Sequence, residues 1–160
     1  MNEQNIISKY VPNFITLLSL SSGFTSIRFS LNSEWELAIY LILLATIFDF
    51  FDGWFARKLK SGSNFGAELD SLSDFVSFGV APSCLIYMWS THSLGSLGWG
   101  ATLFFVICSA LRLARFTADI YITNKPIDNN EFFVGLPSPA AAGLILLPLF
   151  IYFEFNLNFI

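Results

Sequence analysis

Charge is scarce in this chain. Only 12% of its 160 residues are Asp, Glu, Lys or Arg, about half of the roughly 25% that a water-soluble domain carries. Histidine occurs once and cysteine twice. Cys84 and Cys108 lie far apart without metal-ligand spacing, so they read as buried apolar thiols and leave the redox compartment open. His92, alone in "THSLGSLG", reads as a solvated loop imidazole. Eight basic residues against twelve acidic ones give a formal charge of −4. The positive charge is local, so no nucleic-acid partner is expected. Low-complexity tracts and clear internal repeats are missing too.

What fills the chain instead is apolar: 54% hydrophobic and 18% aromatic residues. Apolar runs of membrane-crossing length recur, each needing about 20 residues. Five spans are expected at about 11 to 31, 35 to 57, 67 to 90, 97 to 118 and 137 to 155. The fold class is therefore all-α, a polytopic membrane helical bundle, with residues 1–160 as one domain. The first run reads as a true span and not a signal peptide, because its flank carries only Lys9 against Glu3 and no small-residue cleavage site follows.

With the N-terminus in the cytoplasm, Lys9, Arg57, Lys58, Lys60, Arg112, Arg115 and Lys125 all fall on the cytoplasmic side, and only Arg28 lies towards the other. That asymmetry satisfies the positive-inside rule and puts Trp35, Trp89 and Trp99 in an outer aromatic belt.

Against this background "DFFDGWFARKLKSGSNFGAELDSLSD", residues 49–74, holds five acidic side chains. Asp49 and Asp52 are three apart near the cytoplasmic end of the second span, and Asp70 and Asp74 four apart near the start of the third. Each pair shares a helix face. A short turn makes the two spans antiparallel, so the two faces can meet. Salt bridges to Arg57, Lys58 and Lys60 would be the bland explanation. Ionisable groups in spans cost about 2.5 to 3.5 kcal/mol each and usually mark function, and clustered hard oxygen ligands suit Mg2+ or Mn2+. Glu68 falls off the Asp70 and Asp74 face, which suits a surface or supporting role. A cation transporter would want its carboxylates near the midplane on broken, repeated helices, and a scaffold would not need this set.

Asp49, Asp52, Gly53, Ala56, Arg57, Gly66, Asp70 and Asp74 fit the pattern D-x-x-D-G-x-x-A-R-(eight residues)-G-x-x-x-D-x-x-x-D. In this the chain resembles the CDP-alcohol phosphatidyltransferases. "PNFIT" resembles that family's first-span element. "DSLSDFVSFGVAP", "LRLARF" and "GLPSPAAAG" look like its phosphatidylserine synthase branch. The family fold has six spans where five are drawn here.

The resemblance implies transfer of a phosphatidyl group from CDP-diacylglycerol to a small alcohol, L-serine in that branch, with CMP released; glycerol 3-phosphate or inositol is the alternative acceptor. It implies two Mg2+ or Mn2+ ions on Asp49, Asp52, Asp70 and Asp74, with Asp74 also the base for the acceptor hydroxyl. By the same analogy Gly53 gives the nucleotide room and Arg57 faces the donor phosphate. Asn13 and Thr16 serve the nucleotide and diphosphate, and Ser63 a phosphate oxygen. Each has a plainer reading: Asn13 a helix N-cap after Pro12, Ser63 a turn residue. Arg112 and Arg115, three apart on one face, read either as headgroup anchors or as an anion site for lipid phosphate or the serine carboxylate. Gly79 and Pro82 are expected to set a bend and a close helix contact. A homodimer in the membrane, its active site facing the cytoplasm, completes what the resemblance implies.

Overall fold

The computed structural model describes residues 3–59, 64–123 and 136–155, with side chains placed over 10–59, 64–118 and 136–155. Lipid offers nothing to a backbone N–H or C=O, so an apolar span closes its hydrogen bonds internally as a helix. The described elements follow suit: α1 Glu3–Leu31, α2 Trp35–Lys58, α3 Asn64–Asp74, a π-helical segment Phe75–Val80, α4 Ala81–Trp89, a 3-10 turn Thr91–Leu94, α5 Ser96–Thr123 and α6 Ser138–Phe155. There is no strand among the described residues. Five stretches are long and apolar enough to cross a membrane: Tyr10–Leu31, Trp35–Lys58, Asn64–Trp89, Ser96–Ala118 and Ser138–Phe155. These are the five expected spans, shifted by at most a few residues.

Two local expectations need correction. Because α1 starts at Glu3 and carries Pro12 inside it, Asn13 lies in a helix interior and is not an N-cap. The third span is also not a simple helix. Pro82 has no N–H to give the carbonyl four residues back and its ring crowds that carbonyl. Immediately before it the helix widens to a π turn, and the Ala81 N–H reaches the Val76 carbonyl. Such widened turns absorb local misfit and re-aim side chains. The expected close contact is there: a Cβ on Gly79 would stand 3.3 Å from the Ser109 Cβ of α5.

α1 packs along α2 and also touches α3, the π segment and α4. The main apolar core lies in the half of the bundle away from the four aspartates, where Ala38, Ile39 and Ile42 of α2 meet Ala81, Leu85 and Ile86 of α4 and Leu146 and Leu149 of α6. Trp35 and Trp89 pack against it. Edge-on aromatic pairs, Tyr87 with Trp99 at 5.4 Å and Trp89 with Tyr152 at 5.5 Å, tie the helices together in that half. A smaller cluster of Ala45, Phe78 and Ala142 lies deeper towards the other end. Cys84 is half-buried, but Cys108 is exposed, against expectation, because α5 turns most of its surface outward.

Leu85 is completely buried between three helices. In lipid the transfer term of a Leu→Ala change is largely missing, but the lost dispersion contacts remain. Leu85→Ala is therefore expected to destabilise near the lower end of the ~2 to 5 kcal/mol range for buried Leu→Ala changes. Unfolding in detergent measures it, and a cost near zero would show that this core relaxes freely.

Candidate active site

Three of the four expected carboxylates come together. Asp49 and Asp52 lie about two turns before the end of α2, and Asp70 and Asp74 close α3. One oxygen from each of Asp49, Asp70 and Asp74 lies within 4.8 Å of the others. Asp49 and Asp74 are in side-chain hydrogen-bonding contact. Asp52 stands beside this trio and is only 4% exposed. It faces α1, beside Thr16.

The Asp52 Oδ2 and the Asp74 Oδ1 are buried without a partner. A buried carboxylate oxygen without a partner lacks the hydrogen bond that burial demands, and neighbouring carboxylates repel one another. A cation with hard-ligand preference answers both deficits, so the donor set fits Mg2+ or Mn2+. Lys58 does not supply the charge, because its ammonium lies over the Trp54 ring, 4.4 Å from the centroid. Glu68 is exposed and lines a groove between α3 and α5 with Ser71, Phe75, Ala114 and Thr117, away from the trio as expected.

The other expected residues divide. Arg57 is exposed one turn beyond Gly53, and its Nη1 lies 3.6 Å from where a Gly53 Cβ would stand. Thr16 is buried at 4% exposure, its hydroxyl 3.0 Å from the Pro12 carbonyl. Asn13, half-buried, is three residues before it and shares its face. Ser63 and Lys60, with Lys125, lie outside the described residues.

Arg112 and Arg115 are not equivalent. Arg112 is half-buried and donates through Nη1 to the Leu136 carbonyl and through Nη2 to the Ser138 hydroxyl, which fixes the start of α6. Arg115 is exposed.

Depth follows from helix geometry. Ala45, Phe78 and Ala142 touch one another, and one turn further along each helix in the same direction stand Asp49, Asp74 and Ser138. The Arg112 and Ser138 pair therefore sits at the level of the carboxylates. Sequence reading missed Ser138, and it missed Ser19, Ser73 and Ser77, which are buried beside the site. Small polar residues at three- and four-residue spacing in an apolar span were the available signal.

Comparisons with known proteins place the chain in a family. The family model described as CDP-alcohol phosphatidyltransferase matches residues 9–160. The chain belongs to that family. Similar relatives include proteins named CDP-diacylglycerol--serine O-phosphatidyltransferase from Mycobacterium leprae and Helicobacter pylori. The first is 45% identical over 143 residues, 87% of this chain and 47% of the relative. The second is 39% identical over 136 residues, 85% of this chain and 55% of the relative. An archaetidylserine synthase from Methanothermobacter thermautotrophicus is 39% identical over 151 residues, 89% of this chain and 59% of the relative. The chain spans about half the length of the curated relatives it matches.

For this phosphatidyltransferase family member the donor set makes a direct prediction. Mn2+ binding to the folded chain should raise its unfolding midpoint, by an amount equivalent to about 2.7 kcal/mol at a hundred times the dissociation constant. Asp49→Ala, Asp52→Ala and Asp70→Ala should each insert and fold, yet lose that shift. Full Mn2+ stabilisation of any one variant would remove that residue from the ligand set.

Proposed function

We propose that the chain transfers the phosphatidyl group of CDP-diacylglycerol to the hydroxyl of L-serine and releases CMP, with Mg2+ or Mn2+ at the aspartates. The observation that carries this reading is the convergence of Asp49, Asp70 and Asp74 at one end of a membrane bundle, within the family's eight-position pattern. Serine as the acceptor rests on the relatives, whose names all specify it. A lipid donor with a polar head also explains why a polar site is built at a span end, where tails stay in hydrocarbon and the diphosphate meets water.

The aspartates would hold two ions, which when bound would neutralise the diphosphate and stabilise the charge gathering on CMP. The chain's own residues do the rest. Arg57, free at the α2 surface, pairs with donor phosphate through its forked guanidinium. Asn13 and Thr16 of α1 border the nucleotide side, and Ser63 a phosphate oxygen. In the chemical step the serine hydroxyl oxygen forms a bond to the phosphatidyl phosphorus. The phosphoanhydride P–O bond breaks, and its electron pair leaves with CMP. The hydroxyl proton passes to a carboxylate oxygen of Asp74, the general base. The active site faces the cytoplasm, as the basic residues at that end support, and the working form is a homodimer.

Of the two arginines, Arg115 is the one whose guanidinium stands exposed, so it is assigned the serine carboxylate, with Arg112 holding the α6 start beside it. Charge-assisted hydrogen bonds of this kind contribute about 1.5 to 3 kcal/mol.

Three measurements test the reading. Purified protein incubated with CDP-diacylglycerol and serine, glycerol 3-phosphate, inositol or ethanolamine should release CMP with serine and yield phosphatidylserine. Release with glycerol 3-phosphate or inositol and none with serine would replace the acceptor while keeping the donor. Asp74→Asn should keep donor binding and lose turnover; if both fall together, Asp74 is chiefly a ligand. Arg115→Gln should raise the serine requirement roughly ten- to a hundredfold, by the energy above, with donor affinity unchanged. Weakened donor binding with normal serine dependence would give Arg115 to the lipid phosphate.

A further inference from the structure

Two residues of α1 stand between the helices that carry the carboxylates. The Thr16 hydroxyl donates to the Pro12 carbonyl of its own helix at 3.0 Å and lies beside Asp52 of α2, while its backbone carbonyl accepts the Ser73 hydroxyl of α3 at 3.2 Å. Ser19, one turn on, donates its hydroxyl to the Ala45 carbonyl of α2 at 3.0 Å, while its own carbonyl accepts the Ser77 hydroxyl of the π segment at 3.3 Å. All four are at most 4% exposed. Ser73 immediately precedes Asp74, and Ala45 lies one turn before Asp49. One turn beyond Ser19, a Cβ on Gly23 would fall 2.6 Å from the Ser77 Cα, so α1 and the π segment are in backbone contact there.

We infer that Thr16 and Ser19 of α1, with Ser73 and Ser77, form a positioning bracket that sets the depth and rotation of Asp70 and Asp74 relative to Asp49 and Asp52. The inference rests on the proposed metal site, whose ligand geometry the bracket fixes. It assigns the Ser19, Ser73 and Ser77 hydroxyls no contact with donor or acceptor. Helical carbonyls retain a second lone pair after accepting from the residue four ahead. Each bracket bond into α1 therefore uses spare acceptor capacity, and removing its hydroxyl strands no buried carbonyl. Loss of such a bond changes position more than it changes stability. In lipid a side-chain hydrogen bond contributes on average only about 0.6 kcal/mol, whereas groups that orient metal ligands typically affect affinity by about 10- to 100-fold.

The test reads Mn2+ affinity directly, from the EPR signal of free Mn2+ titrated into purified protein with neither donor nor acceptor present, beside the unfolding midpoint of each metal-free variant. Ser30→Ala is the control. Ser30 is equally buried, belongs to the same face of α1 and bonds the Ser26 carbonyl at 2.9 Å, but lies at the other end of the helix, far from the aspartates. Ser73→Ala and Ser77→Ala are expected to weaken Mn2+ binding by about 10- to 100-fold with midpoint changes no larger than that of Ser30→Ala, which keeps wild-type affinity. Gly23→Ala, which wedges α1 off the π segment, should weaken Mn2+ in the same direction. If an alanine variant does not fold, the near-isosteric Ser73→Cys and Ser77→Cys, poor donors of the same size, carry the comparison. Wild-type Mn2+ affinity in the Ser73 and Ser77 variants would overturn the bracket alone and leave the metal site standing. No Mn2+ binding by the wild type would overturn the metal site and the bracket with it.

Discussion

Repulsion among aspartates held at one end of a membrane bundle is the constraint around which this structure is organised. Ligand oxygens of Asp49, Asp70 and Asp74 within 4.8 Å of one another interact, if all are ionised, at about 4 kcal/mol per pair for an effective dielectric near 20. Three such pairs come to on the order of 10 kcal/mol. The hydrogen bonds from Ser73, Ser77 and Ser19 that tie the three helices together are each worth about 0.6 kcal/mol in lipid. They cannot hold the carboxylates together against that force. Cations or protons must remove most of the repulsion, and the hydroxyls then decide where the oxygens stand. Neutralisation and placement are separate tasks here, done by different groups.

That division explains the composition of α1. A helix that only filled space between α2 and α3 would carry Leu and Ile on its inner face. Instead its buried face carries Thr16, Ser19, Ser22, Ser26 and Ser30, with Gly23 where the backbones approach most closely. In a bilayer an apolar side chain gains nothing by moving from lipid to protein. Small residues that admit close contact and hydrogen bonds therefore drive association better than bulk does. The large side chains collect in the half of the bundle away from the aspartates, in the cluster around Leu85 and Leu149, where no ligand geometry has to be kept.

Most of this was legible in the sequence, for identifiable reasons. The five spans showed because about 20 apolar residues in a row have few other uses. The carboxylate face showed because an ionisable group within a span needs a reason, and the spacing of Asp49, Asp52, Asp70 and Asp74 supplied one. What stayed hidden depended on contacts between distant segments. A serine in a span reads the same whether it bonds its own helix, as Ser83 does to Gly79, or a neighbour, as Ser77 does. Pro12 suggested a helix start, yet the helix continues through it, with Asn13 inside. Pro82 suggested a bend, but the π turn that accommodates it cannot be told from a kink by spacing alone. Arg112 and Arg115 looked alike because their difference lies in α6, whose Leu136 and Ser138 occupy one of them.

The boundary between the polar site and the apolar core is one layer thick. Ala45 and Ala142 are small enough for Phe78, 1% exposed, to fill the space between α2 and α6. One turn further along, the same three helices present Asp49, Ser138 and Asp74. A larger side chain at either alanine would push the helices apart at the level just above the aspartates. A smaller one in place of Phe78 would open a path from the site into the core. The π turn contributes here as well, since Phe78 belongs to it while Asp74 closes the regular helix before it. The packing of this layer and the aim of Asp74 are thus set together by the conformation that Pro82 helps to impose.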